Sequence, residues 1–590
     1  MRRLAWPLLV VAAMFACSDD RDGFDRDHSF FESDAGAEAE PPAPTSCEGT
    51  LRCGRDLRSV VDGCDESKVI AQCGPDQGCA DGKCVPACEV GAGATIGCDF
   101  VPLPPPPESL AMGSCFAAVL ANTWDLPAAI EAEYEGSPID VPSSAKVLRT
   151  DGETTTLEPF TGELQPGEVA VLFLSEQASG LQSVACPAGA TPAVRKLTAT
   201  TGTRRGPTFR IKTTAPVSAY SMYPFAGSSS QGTSATMLLP VTSWKTDYLV
   251  TSPWEMRYFG AEDSLTKNFP STQVVAAEDG TEVTLLSSVH VIGGADVESA
   301  EKGVPKVYHL NRGEQIQFWQ EQDLTGTRIG SNKPIGVWTG HQAMAIPTTT
   351  TCCGDTSQTT MFPLRSWGRE YAVVPYRSRR TKEIPEDYLY RVTAAVDGTV
   401  LTYEPSAPKD APVTLAAGQS VFFSSQEAFV VRSQDIAHPF AIFAYMTGEQ
   451  FARAEGFQGD PEFVPVVPPE QYLGRYVFFV DTSHPNSQLV VVRAREGGKD
   501  FAPVNLDCAG ALGEWTPVGT SGQYEYARVW LSKNGKPQPV GSGTCAAGRH
   551  VIESAGPIGV TVWGTAPYAS YGYPGGAALR TLNAIETIVK

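Results

Sequence analysis

Beyond residues 4–15 the chain has no apolar run approaching the roughly 18 residues that a membrane-spanning helix needs, so its body is expected to be soluble. Nor does any segment after residue 98 keep a 3.6-residue apolar period over three turns. "PAAIEAEYEG" (127–136) comes nearest, and a helical body is excluded. Positive charge is in deficit: 45 Lys and Arg stand against 66 Asp and Glu, a net charge of −21. A chain of that balance is a poor partner for phosphate backbones, so no nucleic acid is expected. The basic clusters "RSRRTK" (377–382) and "GTRRG" (202–206) are short and read as loops.

Histidine is scarce too. His28, His290, His309, His341, His438, His484 and His550 show no H-x-x-x-H or H-x-H spacing, so there is no local metal signature. There is no G-x-S-x-G elbow, no phosphate loop and no dinucleotide fingerprint. "GSSSQG" (227–232) reads as a flexible loop, and adjacent acids such as Glu262 and Asp263 carry no special spacing. The sequence therefore predicts no catalytic residue, no metal and no cofactor. His341 stays a candidate for a ligand surface because it precedes the acidic, Cys-bearing loop 351–357.

What is present begins with Met1-Arg2-Arg3, a short apolar run and "MFAC". A positive n-region, a short h-region and small Ala16 before Cys17 read as a signal peptide over 1–16. They resemble a bacterial lipobox, in which the Cys17 thiol is lipidated. Ser18 after it resembles lipoproteins sorted to the outer membrane. Contact with membrane is thus expected only through that lipid. Residues 17–46 are acidic, then Ala/Pro-rich, and read as a solvated tether. "DRDGFDRD" within it lacks the ligand spacing of a calcium loop.

Removing Cys17 leaves 14 of the 15 Cys, an even number, as disulfides in an exported chain require. Eight fall in 47–98: Cys47, Cys53, Cys64, Cys73, Cys79, Cys84, Cys88 and Cys98. So little apolar content cannot hold that segment by burial, and it shows neither C-x2-C pairs nor His for zinc. It reads as a disulfide-rich module and a spacer, with its connectivity open. Six more follow: Cys115, Cys186, Cys352, Cys353, Cys508 and Cys545. Cys508 and Cys545 are expected to pair. Adjacent Cys352 and Cys353 form either a vicinal bridge or, the favoured reading, separate bonds to partners such as Cys115 and Cys186.

From 99 to 590 four phrases recur in order. A Pro-x3-aromatic-x3-Tyr pattern falls at Pro240/Trp244/Tyr248, Pro363/Trp367/Tyr371 and Pro468/Tyr472/Tyr476. "DGETTTL", "DGTEVTL" and "DGTVLTY" are Asp-Gly turns followed by alternating β-formers. "LQPGEVAVLF", "LNRGEQIQFW" and "LAAGQSVFFS" again place a turn glycine before a strand. Strand phrases around Pro216, Pro334, Pro439 and Pro557 are spaced by 118, 105 and 118 residues. The body is therefore all-β, with four internal repeats of six or seven short strands. Two architectures fit: a closed, propeller-like ring or a row of packed β-sandwiches. The ring is favoured, because "CDFVPL" (98–103) resembles the entering strands of later units and is expected to complete the last one. Tyr568, Tyr571 and Tyr573 in "PYASYGYPGG" form either a ligand platform or, as favoured, a buried closure seam.

The phrases "SNKPIGVWTGH" (331–341) and "PLRSWGREY" (363–371), with the terminal "ASYGYPGG", resemble the IgGFc-binding protein N-terminal domain family over about 99–590. That family includes mucin-associated animal proteins and bacterial surface lipoproteins. The resemblance implies a binding role. The Fc of the family name belongs to animal members. The chain departs from the family pattern at Ala343 and Met344, where a Cys is common, and at Thr356, where His commonly follows the acid.

Together these readings predict an exported, lipid-anchored protein of the bacterial cell envelope, at the outer membrane. It acts as a non-catalytic binding or adhesion module for a protein or glycan. The alternatives are a self-associating structural protein and, less favoured, an extracellular hydrolase. Replacing Cys17 with Ser is expected to move the protein from the membrane pellet to the soluble fraction and abolish fatty-acid labelling.

Overall fold

A computed structural model describes residues 49–586 apart from 66, 107–108, 152–153, 231, 260–265 and 349–353. Cys17, Cys47, Cys352 and Cys353, with the signal segment 1–16 and the whole tether, lie outside the described residues. Residues 47–590 form one compact, nearly all-β unit.

Four hairpins organise it. Each pairs a long strand with a short inner one: β1 (Phe209–Tyr223) with β2 (Ser234–Met237), and β3 (Arg328–Met344) with β4 (Asp355–Thr360). In the later units β5 (Phe440–Met446) pairs with β6 (Glu462–Pro465), and β7 (Gly548–Ala566) with β8 (Ala569–Pro574). Every residue of the four inner strands is buried. They pack in a closed cycle, β2 on β4, β4 on β6, β6 on β8 and β8 on β2. Hydroxyls and amides seal the contacts. Thr236 Oγ1 donates to Gln358 O at 2.7 Å, Thr360 Oγ1 to Met237 O at 2.9 Å, and Thr233 Oγ1 to Ser570 O at 2.5 Å. The ring of repeats is thus closed.

The repeated phrases now acquire a cause. Three long strands bend at the proline of their phrase, where the ladder register shifts beside Pro216, Pro334 and Pro557. Proline donates nothing to a ladder, and a bulge leaves a buried carbonyl needing a partner. At Pro334 and Pro557 the last Tyr of the Pro-x3-aromatic phrase supplies it, and Tyr371 does the same after Pro439, where the strand breaks instead of bending. Tyr248, Tyr371 and Tyr476 donate their hydroxyls to Ile335 O, Phe440 O and Ile558 O at 2.7, 2.6 and 2.5 Å. Each acceptor is the residue after its unit's proline. The same hydroxyls accept the amides of Lys245, Gly368 and Leu473 at 3.3, 3.1 and 2.9 Å. The middle aromatic packs beneath the bend. A Cβ on Gly336 would lie 2.6 Å from the Trp244 ring, and one on Gly559 would lie 2.4 Å from the Tyr472 ring. Only glycine leaves that room.

Only the third unit divides into two four-stranded sheets. Its long element breaks between Phe429–Ser433 and β5, whereas elsewhere one bent strand serves both halves. The turn glycines Gly167, Gly313 and Gly418 have φ of 76, 76 and 71°, the left-handed backbone their phrases call for.

Two expectations are corrected. Strand Ile96–Phe100 does not complete the last unit; it pairs with β1 of the first. The fourth unit has its own equivalent, Leu473–Val480. Closure of the chain ends comes instead from Thr95, whose amide donates to Ala577 O at 2.9 Å, and from the C-terminal tail. That tail also caps the third unit's turn: Asn583 Nδ2 donates to Leu364 O and Trp367 O at 3.0 Å. Second, Cys115 bonds Cys186, so neither serves Cys352 or Cys353. A bridge spanning 71 residues restricts the unfolded chain by roughly 4 kcal/mol on the loop-entropy account. Cys508 pairs with Cys545 as expected.

The disulfide-rich module contains Cys53–Cys79, Cys73–Cys84 and Cys88–Cys98, and Cys64 is also disulfide-bonded. It packs directly on the repeats: Trp124 Nε1 donates to Pro75 O at 3.1 Å, and Arg55 Nη1 to Tyr472 O at 3.0 Å.

Tyr476→Phe strands a buried amide and a buried carbonyl together. It is expected to cost about 2–3 kcal/mol. Gly336→Ala, which drives a methyl into Trp244, is expected to cost about 1–3 kcal/mol. Urea unfolding of the intact protein checks both, with Tyr526→Phe, a half-buried tyrosine outside the bends, as the near-neutral control.

Candidate binding face

At one end of the ring lie the turns joining long to inner strands, described over residues 224–230, 232–233, 345–348, 354, 447–461 and 567–568. The turns touch one another. Gly448 donates to Ile346 O at 2.9 Å, Gly459 to Ala566 O at 2.9 Å, and Tyr568 to Phe457 O at 2.9 Å. The third turn is the longest of the four and carries a one-turn helix, Glu449–Ala452.

Three of the four predicted surface residues are not at the surface. His341, on β3, is fully buried. Ala343 N donates to its Nδ1 at 3.1 Å, so Nε2 carries the proton and donates to Glu255 O at 3.0 Å. Both nitrogens are used to hold local backbone. Tyr571 and Tyr573 on β8 are buried in the closure seam, the reading favoured from sequence. The Tyr571 hydroxyl accepts the Asp481 amide at 2.9 Å, and the Tyr573 hydroxyl donates to Phe479 O. Burial raises both phenols far above their ordinary range.

Tyr568 is different. It is half-exposed and stacks on Phe457, with ring centroids 5.1 Å apart and planes 18° apart. Phe457 is 55% exposed, and neighbouring Phe451 is 52% exposed. Both partners of the stack hold left-handed backbone, φ 59° at Phe457 and 58° at Tyr568. Arg453 is left-handed as well, at 54°. Such backbone is strained for bulky side chains and costs on the order of 1 kcal/mol each. The fold therefore spends stability to hold two aromatic rings where water reaches them, the reverse of a core's economy. Sequence reading found Tyr568 from its Tyr-rich phrase. It missed Phe457, which lies 111 residues earlier and joins it only through the pairing of Gln458 with Pro567.

Beneath these turns sit three buried carboxyls, Asp355, Asp460 and Glu462. Burial, then the charges of Asp460 and Glu462, push the Asp355 carboxyl well above the usual carboxylate range. Burial does the same to Glu462, against partial relief from the Phe463 amide and Ser234.

Among the described residues, one trio brings potential metal-ligand atoms within 4.8 Å of one another: Asp507, Cys508 and His550. Those atoms are already engaged. Cys508 is in its disulfide, and His550 bonds Asp507 Oδ1 at 3.0 Å and Ala546 O at 2.6 Å. The two best-formed cavities measure about 40 and 10 Å³. Both are far below the ~300 Å³ of a site that engulfs a small molecule.

Residues 234–564 match the family described as IgGFc binding protein, more than half of the chain. The chain belongs to the IgGFc binding protein family. The matched span runs from β2 into β7 and so covers the second, third and most of the fourth units. It includes both halves of the Phe457 turn and stops just short of Tyr568. No curated protein and no solved structure matches the chain.

Proposed function

We propose that this protein is a non-catalytic binding or adhesion module of the bacterial cell envelope. In this reading Cys17 carries the lipid, residues 18–46 are the tether, and the turn-bearing end of the ring contacts a protein or glycan ligand. Membership of a binding family supports the general role. The observation that carries the placement is the Phe457–Tyr568 stack, with Phe457 exposed and Tyr568 partly buried, held on strained backbone. Aromatic rings give large contact area at low entropic cost, and strain of this kind collects at ligand-contacting positions. The rigid ring beneath keeps the platform from collapsing on itself.

A second reading, self-association, has one observation in its favour. Val69–Gln72 is the outer strand of a three-stranded sheet and is exposed on both faces, with Val69 55% and Ile70 47% exposed. An unpaired edge of that kind is a template for another chain.

Affinity capture separates the two. Intact immobilised protein is exposed to envelope and secreted fractions, and saturable species are identified by mass spectrometry. The binding reading predicts a distinct protein or glycan whose capture falls roughly tenfold or more in Phe457→Ala and Tyr568→Ala, as for interface anchors. Their melting temperatures should not fall. Capture of the protein's own chain alone, lost in Val69→Lys, establishes the self-association reading instead.

A further inference from the structure

Asp355 opens β4, Glu462 opens β6 with Asp460 two residues before it in the third turn, and Ser570 sits in β8. All four are at most 1% exposed. The Ser570 amide donates to Asp355 Oδ2 at 2.9 Å, and its hydroxyl lies 3.3 Å from the same oxygen and beside Asp460 O. Phe463 N donates to Glu462 Oε1 at 2.9 Å. Asp355 Oδ1 is left without a hydrogen bond. Carboxylates cut off from water in this way must be neutralised, by a cationic side chain, a metal ion or a proton.

The cationic side chain is already committed. Arg379 is buried and donates to Glu386 Oε1 at 3.2 Å and Oε2 at 2.7 Å, and to Thr447 O at 2.8 Å. Its field reaches Asp460, but Glu386 holds its charge, and Glu449 adds another carboxyl beside it. Among the described residues, the trio whose potential metal-ligand atoms converge lies elsewhere, at Asp507, Cys508 and His550. Ser234 and the Ala235 amide on β2 and the Gly572 amide on β8 hydrogen-bond Glu462 and offset part of the effect of burial, but none of them carries a charge.

We propose that protons close the ring: Asp355 and Glu462 are carboxylic acids in the closed state, and alkaline ionisation loosens the third unit's hairpin, residues 447–465, from its neighbours. Their raised protonation fits this geometry, with burial the largest cause at both. The sign follows. An acid whose folded affinity for the proton exceeds its unfolded one stabilises fully below the unfolded value, about pH 4. That stability is lost progressively as pH rises towards the folded value. The opposite class, Asp481 and Asp507, is held low by His484 and His550 in spite of burial and loses its contribution only in acid, so the two effects occupy different windows. Because hairpin 447–465 carries Phe457, the pH response reaches the turn face as well.

Infrared spectroscopy of the intact protein carrying carbon-13 aspartate tests this directly. The expected result is a label-shifted carboxylic-acid carbonyl band that persists at about pH 7. Across about pH 5–8 the unfolding constant should rise, up to tenfold per pH unit for each acid retained. Asp355→Asn and Glu462→Gln should flatten that rise. A wild-type protein with no such band at neutral pH overturns the proposal whether or not the variants fold. So does destabilisation by EDTA that calcium reverses, which would put a cation where the protons are placed.

Discussion

Everything in this fold leans on one repeated hydrogen bond, from a buried tyrosine hydroxyl to the carbonyl just after a strand's proline. A long β-strand that must run from the rim of a ring to its centre has to bend, and bending frees backbone groups in a place water cannot enter. Tyr248, Tyr371 and Tyr476 satisfy the freed carbonyl, and their own amide partners, three residues back, fix the incoming strand to the bend. The aromatic four residues earlier fills the concave side, over glycine in two units. Proline, aromatic and tyrosine are therefore one device distributed over two distant phrases, which is why the phrases travel together along the chain.

With three units bent at their prolines and the third broken at the same place, the inner strands pack on one another, and repetition becomes closure. The two ends of the ring then diverge. One end is tied by the Pro-x3-aromatic turns and by the C-terminal tail, with Thr95 and Ala577 joining the two ends of the body. The other end is left with turns of unequal length, and unequal turns over a fixed frame are where binding specificity is cheaply varied. The strained Phe457–Tyr568 stack lies there. So does the acidic centre, sealed beneath turns from three units.

Much of the fold was legible because it is written in local chemistry repeated several times. Turn glycines, alternating β-formers and the bend prolines announced four all-β units, and the Cys-rich segment announced its bridges. What escaped depends on contacts that no local phrase encodes. The pairing of Ile96–Phe100 with β1 rather than with the last unit is set by register across more than a hundred residues. Cys115 and Cys186 find each other by the path of a loop, not by spacing. His341 looked available because it neighbours an acidic loop, yet its place on a central strand uses both ring nitrogens. Tyr571 and Tyr573 show the opposite case: Tyr-Gly alternation fits a packed seam as well as a platform, and burial decides for the seam. Phe457 carries no signal in its own phrase, since only a cross-turn pairing brings it to Tyr568.

The account's central claim is that the four units are one closed structure, joined through β2, β4, β6 and β8. Native-state hydrogen exchange of the intact protein, resolved by peptide, tests it most directly. The account predicts that Ser234–Met237, Asp355–Thr360, Glu462–Pro465 and Ala569–Pro574 exchange slowest and share one opening free energy, while residues 447–461 exchange early. Four inner strands that exchange at separate rates, each with its own unit and with Ala569–Pro574 fast, would mean an open string of independent sandwiches and would contradict it.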